Sequence, residues 1–296
     1  MPLANVLVAA VPGSNSGRRT QGGDMPLRRV ARTLSLLLLL AVPAPLLGQQ
    51  KRRLNGHPVV LDCDQKLLSW ATPQERAYDH VVKLAWDFIE NKVPSEPNGL
   101  KVYLVHSTFD PSTLRGTDWP HNSAGLYAMF VDSALAYYAY SGDTAALDRL
   151  REMLDYQLAH GTTPAGWEWG GVPYASSDAG STEYFGADDV KYCDKERPGR
   201  GACGVGDGHF ATQPDKVGEL GEGYLKFYEL TGEAKYRDAA LACANALAAH
   251  VRTGDVSHSP WPFRVFAHTN QVREEYSAHV IANIRLLDEL IRLNLG

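Results

Sequence analysis

A chain of 296 residues with 34 acidic against 29 basic side chains and a net charge of −5 has no basic excess to hold a phosphate backbone, which excludes nucleic acid as a partner. A hydrophobic content of 44% excludes a disordered chain and is enough to bury a core in one large domain or two small ones.

The first segment reads as a leader. Arg28, Arg29 and Arg32 precede the apolar run Leu34 to Val42, and Pro43-Ala44-Pro45-Leu46-Leu47-Gly48 follows it. That is the order of a basic n-region, an apolar h-region and small residues near a cleavage site. A signal peptide is expected, and with it a secreted or periplasmic protein. The competing reading is a membrane anchor, but the run is shorter than the about 18 residues a span needs and two prolines follow it, so no membrane span is expected. Met25 stands where such a peptide would begin, which leaves residues 1–24 as upstream sequence or a long n-region. Residues 1–48 are set aside on this reading, 49–71 form a linker or N-terminal extension, and 72–296 form the folded domain. Loss of residues 1–48 removes five arginines and one aspartate and takes the net charge from −5 to −9. A polyanionic ligand would then need a local basic patch.

Ala77 to Asn91 follows a Thr72-Pro73 entry and puts Tyr78, Val81, Val82, Ala85, Phe88 and Ile89 on one face, which predicts a helix. Leu100 to Val105 alternates weakly and predicts a short strand in a chain of little sheet. Ser123 to Tyr140 and Thr144 to His160 predict a helical hairpin turned at Ser141-Gly142-Asp143. Asp215 to Leu230 and Glu233 to Val251 predict a second, turned at Thr231-Gly232-Glu233, and Arg273 to Leu293 a last helix. The hairpins align without a gap at about ninety residues, with Tyr138, Gly142 and His160 against Tyr228, Gly232 and His250, the mark of an internal repeat. Leu126 to Tyr140 is apolar nearly all round and reads as an inner helix, whereas Leu147, Leu150, Leu154 and Leu158 make the single stripe of an outer one. Gly218, Gly221 and Gly223 would each cost about 1 kcal/mol relative to Ala in a helix, which calls for close backbone approach there. Between the hairpins, roughly fifty residues rich in Trp, Tyr and Gly separate His160 from Asp215, and they read as one folded, functional loop.

Four cysteines allow three full pairings, of which a Cys193–Cys203 disulfide would close a small loop worth about 2–3 kcal/mol. Cys243 falls on the stripe Tyr236, Ala239, Ala240, Leu247 and reads as a small buried hydrophobe, and Cys63 has no assignment.

Inner and outer helices with short turns at one end and long aromatic loops at the other resemble the six-hairpin (α/α)6 toroid of many glycoside hydrolases, polysaccharide lyases and sugar epimerases. Thr117-Asp118-Trp119-Pro120-His121-Asn122 and Gly206-Asp207-Gly208-His209-Phe210 are similar to segments of such enzymes without marking one family. The resemblance implies an all-α toroid of helical hairpins over residues 72–296, an oligo- or polysaccharide partner, and a site where the inner helices begin. A complete barrel of that kind has twelve helices against six counted here, which predicts a partial or truncated barrel completed by a missing C-terminal half or by self-association.

That rim carries the positive ends of helix dipoles. Hydrolysis of a glycosidic bond needs one protonated and one ionised carboxyl, about 6.5–9.5 Å apart for inversion. Asp207, Asp118, Asp178 and Asp215 are the candidates. Asp207 lies between two glycines in what reads as an exposed, flexible setting, against the plainer reading of a turn-forming residue. Asp118 and Asp215 sit where N-caps are expected. Lyase or epimerase chemistry instead needs a base beside a carboxylate, for which His209, His121, Tyr174 and Tyr184 are available. Trp167, Trp169, Tyr174, Tyr184, Phe185 and Trp261 offer faces on which a sugar ring could stack, or else pack the loop onto the helices, and Glu168 could take a ligand hydroxyl. His160 and His250 read as charges closing outer helices, while His258, His268 and His279 have no motif around them. Gly199 to Gly204 spells a dinucleotide fingerprint but follows no strand and opens no helix. No cofactor is expected; Asp188, Asp189, Asp194 and Asp207 could supply oxygen ligands to Ca²⁺, but their spacing matches no calcium loop. A non-catalytic scaffold binding a glycan or a protein is the remaining reading.

Overall fold

The computed structural model describes residues 77–117, 119–189, 191, 207–275 and 279–295, together with Cys63 and Gln65. The expectations for the leader, Asp118, Asp194 and the Cys193–Cys203 disulfide lie outside the described residues. The protein is mostly helical, and its helices pack in pairs. Helix α1 spans Ala77–Asp87, α2 Ser123–Ser141, α3 Ala145–His160, α4 Pro214–Thr231, α5 Ala234–Ala249 and α6 Val280–Arg292.

The two hairpins repeat down to single hydrogen bonds. Gly142 and Gly232 close α2 and α4 at φ 73° and 75°, each donating its N–H to a tyrosine carbonyl, Tyr138 at 2.8 Å and Tyr228 at 2.7 Å. Only glycine takes that left-handed cap without strain. One residue earlier, Ser141 and Thr231 donate their hydroxyls back to Tyr137 and Phe227 at 2.7 and 2.9 Å. The N-terminal ends differ: Asn122 caps α2 by accepting from Gly125 N–H at 3.1 Å, whereas α4 opens on Gln213 with Pro214 in its first turn. Asp215, expected as a cap, is instead the second residue of the helix, accepts from Lys216 N–H at 2.9 Å and has the Lys216 ammonium at 3.9 Å.

Helix α4 packs on α2 at one side and on α6 at the other, with α3 behind α2 and α5 behind α4. Two ion pairs fix α4 and α6 as parallel, Glu219 with His279 at 3.4 Å near the N-terminal ends and Arg292 with Glu229 at 2.5 Å near the C-terminal ends. Helix α2 runs the same way, with Gly125 against Lys216, Val131 against Gly223 and Asp132 paired with Lys226 at 2.6 Å. The α4–α6 contact is made by the expected glycine. A Cβ on Gly218 would lie 2.7 Å from Asn283 N and 2.8 Å from Ala282 C, both backbone. Tyr127, Leu150, Met153, Leu154, Leu220, Tyr224, Phe227, Tyr236 and Leu286 fill the space between the layers. Each such side chain contributes about 1.5–3 kcal/mol by leaving water.

Three expected elements take another form. The first helix ends at Asp87 in a π-turn over Phe88–Lys92, and of its expected apolar face Ile89 packs on the core while Val81 and Val82 are 60% and 39% exposed. Trp86 buries instead, its ring stacked 4.2 Å from Tyr137 and 6.5 Å from Phe130, because one indole covers more apolar area than the aliphatic face offered. Leu100 to Val105 is no strand but encloses a 3-10 turn over Val102–Leu104, closed by Leu104 N–H to Lys101 carbonyl at 2.8 Å. The last helix begins at Val280 rather than Arg273, because Arg264–Phe266 (β2) and Val272–Glu274 (β3) pair as an antiparallel hairpin, with Ala211–Thr212 (β1) on the other edge of β2. Among the described residues no helix is long and apolar enough to cross a membrane.

Candidate functional site

The small sheet lies where the chain enters α4, since Thr212 of β1 is followed by Gln213 and Pro214. The long loop folds onto it. Trp169 N–H donates to Ala267 carbonyl at 2.9 Å and its indole N–H to Asn270 at 2.8 Å, while Ala175 N–H donates to Ala211 carbonyl at 2.8 Å. Segments 185–187 and 207–210 run against each other through Gly208 N–H to Ala187 carbonyl at 3.0 Å and Phe210 N–H to Phe185 carbonyl at 2.7 Å. Gly186, at φ 107°, permits this approach: a Cβ there would lie 2.7 Å from His209 Cα.

The turn that results holds Phe210 at φ 67°, a left-handed conformation that costs a bulky L-residue about 1–2 kcal/mol. It is also 41% exposed. Its ring lies 5.5 Å from Trp167, 5.8 Å from His268 and 6.1 Å from His209, and His209 in turn meets exposed Phe185 edge-on at 5.5 Å. Trp167 also meets Tyr174 at 6.2 Å. The outer surface of the turn is therefore aromatic, with two exposed imidazoles set into it.

Beneath this surface lies charge. Asp207, read from the sequence as exposed, is only 3% exposed and pairs with Arg264 Nε. The correction has a simple cause: β2 brings Arg264 under the turn, and a guanidinium compensates the buried carboxylate. Burial pushes the Asp207 carboxyl above its ordinary range, while Arg264 and the Ser176 hydroxyl pull it down. Glu274 on β3, the register partner of Arg264, takes Nη1 at 2.8 Å. With its amide oxygen turned toward the guanidinium, Gln213 accepts from Arg264 at 2.8 and 3.1 Å. Asp189 pairs with Arg273, and Asp178 accepts from Asp188 N–H at 3.0 Å, holding the loop. Of the calcium set, Asp207 and Asp189 are thus paired with arginines, and no group of three or more His, Cys, Asp or Glu among the described residues is placed to hold a metal ion.

No protein-family model matches the chain, and no curated protein matches it. The crystal structure of a sugar epimerase from a ruminal bacterium is similar, with a TM-score of 0.48 and 13% identity, over 76% of this chain and 50% of that chain. The chain thus spans about half the length of that protein, and the likeness is too distant to carry either fold or chemistry.

The remaining expected site residues are spread by burial. Trp167, Phe185 and His209 line the exposed surface, and Tyr174, 6% exposed, lies under it. Trp169 is fully buried and stacks on His250 at 4.5 Å, and Trp261, 6% exposed, donates to Leu247 carbonyl at 2.9 Å. His121 and Tyr184 are fully buried and meet edge-on at 5.4 Å. Tyr184 and Tyr127 both donate to Leu104 carbonyl. Among the described residues neither ring nitrogen of His121 has a hydrogen-bond partner, and burial, aided by His106, pulls its pKa down to about 3. Leu104 carbonyl acts weakly the other way from outside hydrogen-bonding geometry. Asp215 is 4% exposed and also raised by burial. Arg264, Glu274 and His268 were not singled out for the site from the sequence. Arg264-Val265-Phe266 and Val272-Arg273-Glu274 are three residues each and do not alternate, so the hairpin that carries Arg264 and Glu274 gave no period to find.

Proposed function

We propose that this surface binds a sugar ring against Trp167, Phe210 and His268, and that the protein is a carbohydrate-active enzyme working by proton transfer, as an epimerase or a lyase. The observation that carries this is the strained, exposed Phe210 with imidazoles on either side, His209 at 6.1 Å and His268 at 5.8 Å. An aromatic face stacks on the C–H face of a sugar, and backbone strain at an exposed aromatic ring is the mark of a position held for its use. Imidazole is the side chain best suited to take a proton next to a carbonyl or carboxylate and return one near neutral pH. His209 and His268 are the acid–base groups on this reading, and Arg264 with Asp207 and Glu274 supports the turn from below.

A second reading, glycoside hydrolysis, is favoured by one separate observation: Asp207 and Glu274 flank one guanidinium, and burial pushes the Asp207 carboxyl upward against the pull of Arg264. That is the character of a general acid. The 3% exposure of Asp207 ranks this reading second.

The test is to incubate the full chain with neutral and uronate sugars in D₂O, following C–H signals by NMR and reducing-end release in parallel. Solvent deuterium entering a sugar carbon is expected, slowed about 10²-fold or more in His209→Gln and in His268→Gln. Reducing-end release without exchange, abolished in Asp207→Asn, would move the assignment to hydrolysis. Ligand binding with neither reaction would leave a glycan-binding scaffold.

A further inference from the structure

Helix α6 carries large apolar side chains outside its buried face as well as on it. Ala282, Leu286 and Leu290 bury toward α4 and α5, and on the other side Ile281, Ile284 and Ile291 are 47%, 51% and 72% exposed. The outward side of α6 carries charge as well, with Arg285 and Asp288 exposed beside the three isoleucines. Scattered surface hydrophobics need no account, but three isoleucines along one face of a 13-residue helix form a patch.

The charges beside the patch point to what covers it. Arg285 and Asp288 are exposed on the same side of α6, and neither has an ion pair among the described residues. We infer that this face of α6 pairs with the same face of a second copy of the chain, antiparallel, about a twofold axis near Leu286. That operation sets Ile281 of one copy against Ile291 of the other. It also brings each Arg285 beside the Asp288 across the axis, so that one charge pair is made twice. A self-complementary patch of this kind gives a closed dimer, because the same surface is used on both sides. The helix is roughly 20 Å long, which puts the contact among small, weak interfaces and calls for measurement up to high protein concentration.

Sedimentation velocity of the full chain over a concentration series tests this independently of any catalytic activity. A one-copy to two-copy equilibrium is expected, weakened at least tenfold by Ile284→Ser. The charge pair gives the sharper reading. Arg285→Asp and Asp288→Arg should each weaken the dimer, while the double variant, which restores opposite charges across the axis, should recover it. All of these positions are exposed, and circular dichroism checks that each variant folds. A one-copy species at every concentration would overturn the inference, as would a dimer indifferent to Ile284→Ser. A mass that grows without a plateau and collapses in Val81→Glu would also overturn it, by assigning the partner surface to α1.

Discussion

A buried histidine with nothing to bond reports its own cost through pH. The unfolded chain binds a proton at His121 below its ordinary pKa of 6.5, and the folded chain only near 3, so between those values the unfolded state holds more protons. The contribution to stability is therefore complete above pH 6.5 and is lost as pH falls toward 3, at about 1.4 kcal/mol per pH unit in the middle of the window. His121→Phe keeps the edge-on contacts with Tyr127 and Tyr184 and forfeits no hydrogen bond. Melting curves should show the variant close to the parent at pH 7.5 and clearly more stable than it at pH 4.5; parallel loss of stability in both would mean that His121 is protonated in the fold. Which role such a residue takes was hard to see in the sequence. The Asp118 to Asn122 stretch reads as a helix entry or as a ligand loop, and His121 is buried there with its ring against Tyr127 and Tyr184.

At the scale of elements, glycine separates steric need from chance. Gly→Ala in an open helix stabilises by about 1 kcal/mol. At Gly223 the nearest atoms to an added Cβ are those of Val131 at 3.5 Å or more, so Ala is expected to be neutral or stabilising. At Gly218 the Cβ would meet α6 backbone at 2.7 Å, and forcing the two helices apart is expected to cost about 1–3 kcal/mol. Urea titrations of the two variants check the contrast; equal effects would show that α4 and α6 do not pack at that distance. Both hairpins were legible because two local signals agree in them, a 3.6-residue apolar period and a glycine stop. The β2–β3 hairpin was not, because each strand has three residues and such a run is too short to show a period against the helix that follows. Trp86 defeated the reading of α1 for a related reason: a helix of 11 residues can be held by one large side chain, whatever its aliphatic pattern.

For the molecule as a whole, the loop, the sheet and the helix layers share one core. Trp86 and Trp169, from the first helix and the long loop, belong to the same buried cluster as Tyr224 of α4 and Leu286 of α6. Thermal unfolding followed by tryptophan fluorescence and by far-ultraviolet dichroism should therefore give coincident curves. A separate early fluorescence step would show that the loop comes away before the helices do. That the long loop is ordered against the entry to α4 was legible in the sequence, and much less so which of its residues are buried there. The chemistry there depends on who is buried, and Asp207 and His209, two positions apart in one glycine-rich turn, end on opposite sides of that divide.

Cys243 turns this packing into a clock. The thiol is fully buried between α5 and its neighbours and its pKa is pushed up to about 12, so a reagent that needs thiolate finds none while the helices stay together. Cys63, exposed, answers such a reagent at once. The delay between the two modifications counts how often the helix layers part, in unlabelled protein and without any denaturant.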